Sequence, residues 1–166
     1  MKPTIVGLFI SNGGVPKLPI QRGFVSANGI EGDRQRNLKY HGGIERALCL
    51  YSLETIEMLQ AEGHPIAPGT TGENVLISGL DWSLAKPGAR LQMGEVVVEI
   101  TSPTTPCKTI IASFKDGDFM RVHYKKAPHD SRVYVRVLEI GELRVGDEVS
   151  ILDQPQRTQR KEELGN

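Results

Sequence analysis

The run Arg90-Leu91-Gln92-Met93-Gly94-Glu95-Val96-Val97-Val98-Glu99-Ile100-Thr101 decides the fold. Two β-favouring segments flank Gly94-Glu95, so two adjacent strands are predicted, Arg90 to Met93 and Val96 to Thr101, joined as a hairpin. The second runs straight into Ser102-Pro103-Thr104-Thr105-Pro106-Cys107-Lys108. Two prolines hold that link extended and bring no donors of their own, and Lys108 to Ser113 reads as the first turns of a helix. The hairpin therefore delivers Cys107 to a helix N-terminus, where unpaired N–H groups, helped by Lys108, favour a thiolate: a nucleophile and a soft metal ligand. The competing reading is a small buried hydrophobe, the usual fate of a free cysteine.

Upstream, Thr4 to Ile10 is β-branched and apolar, and Ser11-Asn12-Gly13-Gly14-Val15-Pro16 ends it as a turn, followed by Lys17. A shorter strand is expected from Ile20 to Ser26. Arg34, Arg36, Lys39 and His41 then fall within eight residues, ahead of Gly42-Gly43. This is either a solvated loop or a cradle in which glycines let backbone N–H groups approach an anion. Arg46 to Tyr51 reads as a strand buried on both faces, with Cys49 as core filler. Ser52 caps a helix from Leu53 to Glu62, stopped by Gly63. The breaker-rich connection from His64 to Gly72 leads through Glu73-Asn74 to a strand, Val75 to Ser78; its length marks it as a functional loop, with His64 read as solvated.

Downstream, a short helix is expected from Phe119 to Tyr124 and an exposed basic loop from Lys125 to Asp130. Arg132 to Leu138 alternates polar and apolar, so it reads as a half-exposed strand whose two arginines suit a guarded sheet edge. A last strand spans Glu148 to Leu152. The expected organisation is one domain, 1–152, followed by a charged, disordered tail, 153–166. Roughly eight short strands with few helices give a mainly β fold with α insertions (α+β), expected as a closed or nearly closed antiparallel β-barrel.

Composition narrows the function. The chain has 166 residues, 39% apolar, with 20 Lys+Arg against 20 Asp+Glu, so no global field recruits nucleic acid or an acidic membrane. No run is long enough to span a membrane and the N-terminus lacks a signal-like apolar stretch, so a cytoplasmic protein is expected. Cys49 and Cys107 match no zinc spacing and read as reduced.

Four pieces occur in register: Gly32-Asp33-Arg34, His41-Gly42-Gly43-Ile44-Glu45-Arg46-Ala47, Gly72-Glu73-Asn74, and Thr101 to Cys107 ending in Pro106-Cys107. In that order they resemble MOSC domains, named after the C-terminal part of molybdenum cofactor sulfurase, over about Thr4 to Leu152. The resemblance implies a barrel akin to the β-barrel domain of pyruvate kinase. It also implies that Cys107 ligates molybdenum in a pterin cofactor (Mo-molybdopterin), as the matching cysteine does in MOSC reductases. Lys17, Arg34, Arg36, Lys39, His41 and Arg46 with Gly42-Gly43 are then the supply for the cofactor's phosphate, with Lys108 beside the metal. Asn74, Thr104 and Thr105 are candidates for the pterin edge, and Glu73 for ordering an N–H or a cation one layer behind. Three functions are consistent with this set: a molybdenum oxotransferase reducing N-hydroxylated small molecules with electrons from a separate donor protein, a sulfur carrier passing a Cys107 persulfide received from a desulfurase, and a cofactor-binding module without turnover.

Overall fold

The structure, a computed structural model, describes residues 2–34 and 43–154. Eleven strands are formed among them: β1 (Thr4–Ile10), β2 (Leu18–Ile20), β3 (Arg22–Ser26), β4 (Gly29–Ile30), β5 (Leu48–Ser52), β6 (Val75–Ser78), β7 (Arg90–Met93), β8 (Val96–Pro103), β9 (Val133–Glu139), β10 (Gly141–Arg144) and β11 (Val149–Asp153). One α-helix, α1 (Leu53–Ala61), follows β5 directly. Ser52 caps it as the sequence predicts, its hydroxyl accepting the Thr55 N–H at 3.2 Å. Ile56 and Leu59 bury its inner face, which is where most of the stability of so short a helix resides.

Eight strands form a mixed sheet in the order β11-β7-β8-β9-β5-β6-β1-β2, and β10-β3-β4 form a second small sheet. The expected closed or nearly closed barrel is not formed; both sheets are open. β2 pairs along the second half of β1, Leu8 to Ile10, and occupies the side that a closing strand would need. Only the start of β1 reaches the far end of the sheet, through one bridge, Thr4 to Glu148, and a few backbone bonds such as Ile5 N–H to Asp147 O at 2.9 Å. The antiparallel expectation also fails at one pair, because α1 carries the chain back over the sheet and makes β5 and β6 parallel.

The β7–β8 hairpin forms in the register expected from its two-residue turn, Met93 opposite Val96. Strand β9 corrects another expectation. It lies between β8 and β5, in the middle of the sheet, rather than at an edge. Arg136 is tolerated there because its Nε donates to Glu99 Oε2 at 2.6 Å across the β8–β9 pair. The core packs Ile5, Leu8, Leu48, Leu50, Val75, Ile77, Leu91, Val98, Ile100 and Val135 between the sheet layers and α1.

Residues after Cys107 form three short 3₁₀ pieces, Lys108–Ser113, Lys115–Gly117 and Phe119–Val122, in place of the predicted helices. His64 is not solvated as expected: its side chain is 8% exposed, stacks edge-on against Phe114 and accepts the Lys115 N–H at Nδ1, 3.0 Å away. The sequence shows only an isolated loop histidine; the Phe114 ring and the Lys115 N–H that cover it are about fifty residues away.

Candidate functional site

Strands β5 and β9 pair with Cys49 opposite Tyr134 and Leu50 opposite Val133. Alternation then splits the sheet into two faces. One carries Leu48, Leu50, Val133 and Val135 into the core; the other carries Cys49, Tyr51, Arg132 and Tyr134. Strand β8 extends this second face, with Ser102 opposite Tyr134, and Thr104 N–H donates to Arg132 O at 2.8 Å as the chain leaves the sheet. The Cys107 loop thus rises from a polar sheet face.

Within the loop, Thr104 and Pro106 are buried, Thr105 and Lys108 are exposed, and Cys107 is half-buried. Cys107 Sγ shares a hydrogen bond of 2.8 Å with Thr109 Oγ1. The piece that Cys107 heads is a 3₁₀ turn of six residues, so the aligned-dipole field expected of an α-helix is not built there, and the contact found at the sulfur is this hydroxyl. Thr101 Oγ1 donates to Glu45 O at 2.6 Å and ties the base of the loop to the 3₁₀ turn Ile44–Arg46, whose Arg46 guanidinium stands 5.6 Å from the Tyr134 ring centre. Cys49, by contrast, is buried as expected, though on this polar face beside Thr104; burial pushes its thiol up, the reverse of activation. Burial also pushes the Tyr134 hydroxyl up to about 12, with Cys49 adding to the effect.

Below this face lies a network that the sequence did not reveal. Asp33 accepts Lys17 Nζ at both carboxylate oxygens, 2.8 and 2.7 Å, the Ser11 N–H at 2.9 Å and Asn74 Nδ2 at 2.9 Å. Both side chains of the ion pair are 5% exposed. Asn74, fully buried, also donates to Phe9 O at 3.1 Å and accepts the Cys49 N–H at 3.0 Å. Lys17 and Asn74 are thus both engaged in this network, which braces the floor. Thr104 likewise turns inward, its Oγ1 3.9 Å from Cys49 Sγ.

Glu73 is fully buried and accepts the Gly69 N–H and the Thr71 hydroxyl, the latter at 2.6 Å. It holds the 69–73 turn through these two bonds. Gly69, at φ +84, passes so close to Lys17 O that a Cβ would lie 2.5 Å from it, so this turn admits no larger residue unstrained. Burial is the main reason the Glu73 carboxyl sits above its ordinary 4.5, against the pull of Thr71, Gly69 and Arg132. A carboxyl raised in the native state holds its proton more tightly there than in the unfolded chain. Its stability contribution is complete below pH 4.5 and is lost as pH rises through the native value. Glu73→Gln, neutral throughout, is therefore expected to lose less stability between pH 4.5 and 8 than the wild type; denaturant midpoints that move in parallel would contradict this.

Of the cations assigned to a phosphate, Arg34 is exposed and joined through its backbone to Ser11 O at 2.8 Å, and Arg46 is half-buried behind Gly43. Gly43 itself sits at φ 90 and is exposed. Arg36, Lys39, His41 and Gly42 lie outside the described residues. Arg132, Thr71, Thr109 and Tyr134 were not anticipated: a charged or hydroxyl residue in an alternating strand or turn carries no signal distinguishing a buried position from a solvated one.

A model of the MOSC domain matches residues 37–150. The chain belongs to the MOSC domain family. It is 28% identical over 129 residues to the uncharacterized protein YflK of Bacillus subtilis, covering 77% of this chain and 58% of YflK. To protein YiiM of Escherichia coli it is 33% identical over 100 residues, 57% of this chain and 44% of YiiM. A protein named as a reductase from Gibberella moniliformis is 29% identical over 139 residues, 80% of this chain and 24% of that protein. The chain thus spans about half the length of YflK and YiiM. The crystal structure of Escherichia coli YiiM superposes with a TM-score of 0.70 at 20% identity, covering 93% of this chain and 71% of that one, which establishes a shared fold. Among the described residues of this MOSC protein, no helix is long and apolar enough to cross a membrane.

Proposed function

We propose that this MOSC protein binds the pterin form of the molybdenum cofactor, with Cys107 as the protein's ligand to the metal, and that it reduces N-hydroxylated small molecules in the cytoplasm with electrons from a separate donor protein. The observation that carries the reading is the half-buried Cys107 thiol, held at the head of a strand-fed loop with one hydroxyl partner, while the other cysteine is sealed in the core. The residues fit the group at the thiol and the rim. Among the described residues no three His, Cys, Asp or Glu side chains could hold a bare metal, which suits a metal whose other soft donors come from a pterin dithiolene. The fit is poorer at Lys17 and Asn74, which the Asp33 network uses, and the phosphate falls instead to Arg34, Arg46 and the Gly43 backbone. When bound, the cofactor supplies oxygen-atom transfer.

The chain's own residues then have separable tasks. Pro103 and Pro106 restrict the loop, so the sulfur is presented with little conformational freedom to lose. Thr109 Oγ1 orients the sulfur. Arg46 and Lys108 supply positive charge at the rim, and exposed Thr105 offers a hydroxyl to a polar ligand edge. The relative named as a reductase supports the redox reading over a module without turnover.

Elemental and pterin analysis of protein purified from a cofactor-producing host tests the proposal. Molybdenum and pterin in near-equal amounts are expected. Absence of both, with Cys107 heavier by one sulfur in the mass spectrum, would replace this reading with persulfide carriage.

A further inference from the structure

Arg132 is 7% exposed, yet none of the ion pairs formed among the described residues includes it. Its Nη1 donates to the backbone oxygen of Thr71, and its Nε, also buried, has no hydrogen-bond partner among the described residues. The nearby acid, Glu73, feels the charge of Arg132 but accepts its hydrogen bonds from Gly69 and Thr71. A buried N–H without an acceptor is costly and is ordinarily matched. The cost falls at a telling place. Arg132 O receives the Thr104 N–H at the root of the Cys107 loop, and Arg132 shares its sheet face with Tyr134, beside Arg46.

We propose that Arg132 is an anion-recognition residue of the Cys107 face, offering the Nε side of its guanidinium to a tetrahedral oxyanion, free or carried on a larger molecule. The Nη1 bond to Thr71 fixes the plane of the guanidinium in advance, so the unpaired side is preset for oxygen acceptors. The inference rests on the reading of the Cys107 face as a binding site, but not on the presence of molybdenum.

Trp82, the one tryptophan of the chain, reports on this segment, because its Nε1 donates to Ser131 O at 2.8 Å, next to Arg132. Inorganic phosphate, sulfate and molybdate, each titrated at constant ionic strength, are expected to shift Trp82 fluorescence saturably and to raise the thermal midpoint. Phenyl phosphate run alongside separates a free ion from a carried group: the tighter of the two identifies the source. Arg132→Met should weaken binding about 10- to 100-fold, the worth of a charge-assisted bond, and Arg132→Lys by less. No saturable response in the wild type, or an undiminished one in Arg132→Met, would overturn the proposal. So would an Arg132→Met chain that fails to fold in anion-free buffer, since the guanidinium would then already be satisfied by the chain. Cys107→Ser is expected to keep the anion response, so loss of the metal reading and loss of this one are told apart.

Discussion

Cys107→Ser is expected to lose bound molybdenum by an order of magnitude or more while the protein stays folded. Serine keeps the size and the hydrogen bond to Thr109, but its hydroxyl remains protonated at neutral pH and its oxygen is a hard donor, poorly suited to a metal already in a sulfur environment. The side chain is half-buried and outside the core, so the change in stability should stay within about 0.5 kcal/mol, the range of substitutions away from packed features. Metal content by elemental analysis and the thermal midpoint together decide it. Unchanged molybdenum in the serine variant would remove Cys107 from the metal site; loss of both metal and fold would show instead that the thiol is structural.

Asn74→Ala is expected to have the largest effect on stability of any single change discussed here, about 4 kcal/mol. Asn74 is fully buried, and its side chain stands in for a missing rung between two strands, accepting the Cys49 N–H and donating to Phe9 O while also donating to Asp33. Its backbone repeats the pattern, with Asn74 N–H to Cys49 O and Phe9 N–H to Asn74 O, both 2.8 Å. Alanine would leave a buried N–H and a buried carbonyl unmatched and free one oxygen of an already buried carboxylate. For a chain of this size that corresponds to a drop of roughly 8–16 °C in thermal midpoint. A drop under about 3 °C would mean that the network is not bracing the floor and would return Asn74 to the ligand-binding candidates.

The two outcomes divide the Gly72-Glu73-Asn74 and Pro106-Cys107 motifs by task. The first is an internal brace: Glu73 shapes the turn at Gly69 and Asn74 locks β6 between β1 and β5. The second is the surface the brace supports. Read along the chain, both motifs look equally like ligand groups, because a short polar triplet before a strand gives no indication of which way its side chains point.

Several elements were legible from local pattern alone. β1, the β7–β8 hairpin, the Ser52 cap and α1 follow from β-branched runs, a two-residue turn and a hydroxyl before a 3.6-residue period, and each depends on neighbours close in sequence. Cys49 as a buried cysteine also follows locally, since apolar residues flank it, whereas Cys107, half-buried, falls between the two readings its sequence left open. The open sheet was not legible. It depends on β2 taking the edge of β1 and on α1 reversing the chain so that β5 and β6 run parallel, and strand counting contains neither pairing order nor direction. The placement of β9 was misread for the same reason: Arg132 and Arg136 resemble the charges of a guarded edge until Glu99 and Thr71 are brought to them from other strands and turns.

The sequence by itself determined the MOSC family, the mainly β character, and the loop that offers Cys107. Those are properties of residue type and spacing, which short-range sterics and hydrophobic periodicity translate directly. Only the tertiary structure decided which charged and polar groups serve the interior: Lys17 neutralised by Asp33, Asn74 consumed between strands, Arg132 buried with its Nε unmatched among the described residues. Burial and partnership are made by contacts between residues far apart in the chain, and the cost of a charge is set by what surrounds it after folding.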